Sequence, residues 1–181
     1  MILTVLMILA AALYRLMPHP WNVTPLGAMA LLGGAYLGRR QAFWLPLAVL
    51  AVTDVMLNMR MGYPMIYAPR GFDYAAFVLI GSLGLWLRTQ SSQRQLAAVL
   101  ATPFVFFIIS NFGVWLFGLN LGNVPYAKDM TGLVACYAAG LPFLRGTMMG
   151  DWGFIAVFVG CAWFARQMHN QSLDRLLAPA N

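Results

Sequence analysis

Glutamate is absent from this 181-residue chain, and charged side chains of every kind make up only 9% of it. A soluble domain carries roughly 25% charged residues, so a shortfall of this size places most of the chain in lipid. Other absences narrow the chemistry. No H-E-x-x-H, G-x-S-x-G or G-x-x-x-x-G-K-[ST] pattern occurs, which removes the zinc-protease, serine-hydrolase and Walker-type ATPase signatures. The two cysteines, Cys136 and Cys161, lie inside apolar runs without metal-ligand spacing and read as small packing residues. No metal and no cofactor is expected. The excess of eleven basic residues over five acids gives a net charge of +6. Those cations stand singly or in pairs at the ends of apolar runs, where they orient spans. They form no basic stripe, which argues against nucleic acid as a partner.

What is present is apolar. Hydrophobic residues make up 61% of the chain, and the mean hydropathy is +0.73. At roughly 20 residues per crossing, the length suffices for six spans and their loops. The apolar runs are residues 1–17, 25–38, 42–59, 72–87, 96–118 and 147–165. A further segment, "TGLVACYAAGLPF" at 131–143, is too short to cross comfortably and holds Gly140 and Pro142, which suits a re-entrant or lid helix. The expected fold is therefore all-α, a polytopic transmembrane helix bundle of about six spans plus one short re-entrant or lid helix. Residues 1–166 form the single transmembrane domain and 167–181 a short cytoplasmic tail. The amino-terminal "MILTVLMILAAAL" lacks the positive flank of a signal peptide and reads as a retained first helix.

Six spans put both termini on one side. The turns "GRRQ" and "RTQSSQR" lie on that side and are short and basic, so they are assigned to the cytoplasm. Loops on the other side are longer and rich in Pro, Gly, Tyr and Trp. The first of them, "RLMPHPWNVTP", packs three prolines among His19, Trp21, Asn22 and Thr24. Thr24 is expected to cap the second span, with Pro25 at the first helical position.

An ionisable side chain in lipid costs several kcal/mol, about 3 on the gentler scales, and is usually satisfied or functional. Asp54, Asn58, Asn111 and Asp151 fall in the outer parts of their spans, while Arg15 and Asp73 mark span ends at the same level. These groups are expected to form one polar layer near the outer surface. Stiff outer loops carrying Trp21, Tyr63, Tyr67 and Tyr126 would roof it and enclose a small solute. The competing readings are backbone-bonded structural groups for the layer and an interfacial aromatic belt for the loops.

The blocks "RLMPHPWNVTPLGAMALLGGAYLGRR", "TDVMLN", "SNFGVW" and "LPFLRGTMMGDW" resemble the signature blocks of an uncharacterised bacterial integral-membrane family. That family in turn is similar to the substrate-binding S-components of energy-coupling-factor vitamin transporters, by span number and outer loops rather than by motif. The resemblance implies six helices, cytoplasmic termini, a bacterial inner-membrane location and a vitamin-sized ligand held under the outer loops. S-components dock on their coupling module through a small-xxx-small face of the first helix. This first span has no such pair, whereas the second carries Ala30, Gly34 and Gly38 at that spacing.

The expected function is thus binding and uptake of a small organic solute from the outer side. The expected site draws on Arg15, His19, Trp21, Asn22, Thr24, Asp54, Asn58, Tyr67, Asp73, Asn111, Arg145 and Asp151. Membrane lipid and the solute are the expected partners, and an energy-coupling module is an open third. Two other classes stand beside this one: an intramembrane enzyme using Asp54 or Asp151 as acid or base, and a ligand-free membrane scaffold. His19 and His169 fall on opposite sides of this topology, so they would not share a site.

Overall fold

A computed structural model describes residues 2–62, 68–118 and 126–177, with six α-helices and no strand among them. They are α1 (Ile2–Leu16), α2 (Leu26–Tyr36), α3 (Arg39–Met61), α4 (Arg70–Leu87), α5 (Ser92–Phe117) and α6 (Met130–Leu177). The fold class is all-α. Two of the helices, α5 and α6, are long and apolar enough to cross a membrane by length and composition.

Two elements differ from the sequence expectation. The segment 131–143 is no separate short helix, because α6 runs through it and the last expected span as 48 continuous residues. Pro142 lies inside it. A proline removes one i→i−4 hydrogen bond and leaves the rest of the ladder intact, so an apolar segment packed against neighbours carries it without ending. At 1.5 Å per residue α6 rises ~72 Å. It continues past residue 166 into the stretch read from sequence as the tail.

The second difference is α2. It has only eleven residues, a rise of ~16 Å, about half the ~30 Å of a bilayer's hydrocarbon core. Yet it is the centre of the bundle and touches all five other helices. Gly27, Ala28, Met29, Ala30, Leu31, Gly33 and Gly34 are all buried. The small residues have a packing reason. A Cβ on Gly34 would run into the Gly81 carbonyl and the Cα of Gly84, and one on Gly84 into the Leu31 carbonyl. The Ala30–Gly34 part of the small-xxx-small repeat is therefore spent inside the bundle, on α4, while Gly38 turns the chain into α3.

Both ends of α2 are closed by charged side chains from other helices. The Arg88 guanidinium, just after α4, donates to the carbonyl oxygens of Gly34 (2.7 and 2.9 Å) and Leu37. At the other end the Asp151 carboxylate of α6 stands against Gly27, facing the backbone N–H groups of the first turn. A cation at the C-terminus and an anion at the N-terminus both match the helix dipole. Thr24 is not the cap. The N-cap position is Pro25, with no side-chain cap bond, and the Asp151 carboxylate faces the orphan N–H groups that a capping hydroxyl would have met.

Around the core of Met29, Leu31, Leu50, Phe77 and Ile80, the outer surface is apolar on every long helix. Leu13, Trp44, Met59, Leu79, Trp86, Ile108, Val134, Val157 and Trp163 are all at least half exposed.

Candidate functional site

The connection between α1 and α2 lies along α6. Gly146 and Gly150, one turn apart, bring α6 against the backbone of Trp21 and Thr24, where a Cβ would collide. Asn22 sits between them in the left-handed region (φ 57°), a conformation asparagine tolerates better than most residues. This path carries the chain inward to the buried Pro25 and the first turn of α2.

There the helices line a half-open cavity of ≈180 Å³. Its polar wall comes from Arg15, Asn22, Thr24, Asp54, Arg70, Asp73, Thr147 and Asp151, and its apolar wall from Leu26, Gly27, Leu50, Phe77 and Phe106. Asp54 is the hub of one side. Its Oδ1 accepts from Arg15, whose guanidinium also meets the Thr53 hydroxyl. Its Oδ2 accepts from the Tyr74 hydroxyl at 3.1 Å and lies 3.5 Å from the Arg70 guanidinium. Arg70 also donates to Asn58 Oδ1 at 3.2 Å. The pair is nearly dry, with Arg15 and Asp54 side chains 13% and 9% exposed.

Asp151 forms the other side. It is 1% exposed, and its Oδ2 has no hydrogen-bond partner among the described residues. Three carboxyl groups thus share the wall with two guanidiniums, both of which are drawn to Asp54. Phe77 and Phe106 stack at 5.0 Å and 27° on the apolar side. Among the described residues no group of three His, Cys, Asp or Glu side chains could hold a metal ion.

Of the residues singled out from sequence, Arg15, Asn22, Thr24, Asp54, Asp73 and Asp151 come together on this cavity. Asn58 stands behind it, bonded to Arg70. Asn111 is placed elsewhere. Its Nδ2 donates to the Phe107 carbonyl at 2.9 Å, and its Oδ1 would meet a Cβ on Gly140, so it belongs to the seam between α5 and α6. His19 stacks on Tyr14 at 5.4 Å and its Nδ1 lies 2.9 Å from the Pro20 carbonyl. Trp21 is 80% exposed and stacks on Phe143 at 6.0 Å, and Arg145 is exposed. None of these three lines the cavity. The reason is the inward path of the loop, which directs Asn22 and Thr24 to the cavity and leaves Trp21 outside. Tyr67 and Tyr63 lie outside the described residues, as does most of the loop preceding α6.

Sequence reasoning missed Arg70, Phe77, Phe106 and Thr147. Arg70 was legible only as a loop-end cation, and two phenylalanines inside apolar runs carry no signal of their own.

These features define a helical bundle with a half-open polar cavity at the start of a short central helix. The chain belongs to the family of unknown function DUF6580, which it matches over residues 1–173. No curated protein and no solved structure matches it.

Proposed function

We propose that this is an integral membrane protein whose six-helix bundle binds a small organic solute in the cavity at the start of α2 and takes it up from the outer side. The observation that carries the reading is a solute-sized polar cavity inside a bundle whose exterior is apolar. An exterior of that kind is stable against lipid tails and aggregates in water. Inside a bilayer, buried ionisable groups around a cavity mark a solute path more often than plain packing. Transporters commonly build such sites from helices that stop part-way across, with the freed helix end at the ligand. A helix of ~16 Å would stop at about mid-depth.

On this reading the basic turns at 38–41 and 88–94 face the cytoplasm, together with both termini, in a bacterial inner membrane. The cavity is then the counterpart of the vitamin pocket in the S-components, which the family resembles in span number and outer loops. The Ala30–Gly34 face, being occupied by α4, offers nothing to a coupling module, which favours a protein acting alone.

Mass spectrometry of small molecules retained by protein extracted into nanodiscs tests the proposal. A molecule released from the wild type should be missing from Thr147→Trp, which fills the cavity. Retention of the same molecule by both proteins, or by neither, would remove the cavity as a ligand site.

A further inference from the structure

We infer that the cavity, on the reading that it is a ligand site, selects a small organic cation: a protonated amine that meets the Asp151 and Asp73 carboxylates and lays its apolar part on Phe77 and Phe106. The start of a half-helix ordinarily favours an anion. Here that place is already taken by the chain's own Asp151, whose carboxylate lies against Gly27 and faces the first turn of α2. The anion-binding end of α2 is thereby converted into an acceptor that faces the cavity.

Asp151 is also incomplete. Its Oδ2 is buried without a partner among the described residues, and a buried carboxylate oxygen in that state needs a donor. The two cations of the wall are held on Asp54. An anionic ligand would compete with Asp54 for one of its two guanidiniums and would stand beside the Asp73 and Asp151 carboxylates, which repel it. A cationic ligand disturbs neither. It would meet Asp151, Asp73 and the Thr147 hydroxyl, which donates to the Phe143 carbonyl at 3.1 Å and keeps lone pairs to accept.

The cation is organic rather than metallic. The described residues gather no donor set for a metal ion. The space, ≈180 Å³, equals about six waters at ~30 Å³ each, and one wall is a pair of stacked rings. A ring face attracts an ammonium group and accepts an apolar body equally well.

Benzylamine is a suitable probe, with benzyl alcohol and benzoate as its neutral and anionic counterparts, titrated calorimetrically into the full chain in nanodiscs at neutral pH. Benzylamine should bind, and both counterparts should bind roughly tenfold or more weakly. Asp151→Asn and Asp73→Asn should each weaken benzylamine by on the order of tenfold. Because Asp151 also closes α2, Asp73→Asn carries the test if the Asp151 variant does not fold. Benzoate or benzyl alcohol binding as well as the amine overturns the cation assignment and leaves the cavity reading standing. Amine affinity unchanged in Asp73→Asn and in a folded Asp151→Asn overturns it too, since the amine is then bound elsewhere. If no probe binds, the inference falls, and the molecule retained in nanodiscs decides the rest: an anionic or neutral one keeps the cavity as a site, and none removes both readings.

Discussion

Asp54 illustrates how a buried charge is held in an apolar bundle. Its two oxygens meet Arg15, Tyr74 and Arg70, so neither is left bare. Removing one partner of a buried pair costs about 3–5 kcal/mol, because the remaining charge stays in a poor dielectric. With Arg70 still present, Arg15→Met should fall near the lower end, about 3 kcal/mol, measured by reversible unfolding in detergent. A loss under about 1 kcal/mol would mean that the pair behaves like an exposed one. Trp21 makes the opposite case. It is 80% exposed and touches Phe143 rather than the cavity, so Trp21→Ala should change stability by no more than about 0.5 kcal/mol. It should also leave affinity for the retained ligand unchanged. A fall of tenfold or so would place Trp21 over the cavity in the bound state.

At the scale of elements, α2 owes its place to its neighbours. Eleven residues form a marginal helix alone, and this one is fixed by close backbone packing on α4 and by charges at both ends. Gly34→Ala should cost about 1–3 kcal/mol as overpacking, since the new Cβ meets α4 backbone that has no flexible end to move. Gly153→Ala is the matched control. Nothing lies within 4 Å of its added Cβ, and helix propensity favours it by up to ~1 kcal/mol. Thermal unfolding of the two variants side by side should shift in opposite directions, and equal shifts would refute the packing argument. Arg88→Met should also destabilise, by about 1–3 kcal/mol, because the Gly34 and Leu37 carbonyls lose a charged donor.

For the whole molecule the decisive arrangement is six helices with α2 inside the others. If they alternate across a bilayer, the basic stretches at 38–41 and 88–94 share one face with both termini. Single cysteines at Gln41 and Ser91, in a background carrying Cys136→Ala and Cys161→Ala, should resist an impermeant maleimide in intact cells. They should react once the membrane is opened. Labelling at both positions in sealed cells would invert the proposed orientation. The long α6 adds a constraint of its own. At ~72 Å it exceeds even the ~45 Å of a bilayer with its headgroups, so if it crosses one, part of it would tilt or emerge.

The amino-acid sequence by itself determined the helical class and the chemistry available to a site. A chain with 9% charged residues and no glutamate can hide only a few polar groups, so Arg15, Asp54, Asp73 and Asp151 stood out before any geometry was known. Apolar runs and composition report what each segment can be alone, and they located most helices within a few residues. Tertiary structure decided the rest. Gly140 and Pro142 suggest a short re-entrant or lid helix in sequence, but α6 runs through both. Thr24 reads as a cap, but a carboxylate from a distant part of the chain faces those N–H groups instead. Asn111 reads as a member of the polar layer, and its own helix and Gly140 claim it. Phe77 and Phe106 are indistinguishable in sequence from any core residue, and only the folding of α4 against α5 makes them one wall of a cavity. Depth, partner and direction of a side chain depend on contacts between segments far apart in the chain, and no local pattern encodes them.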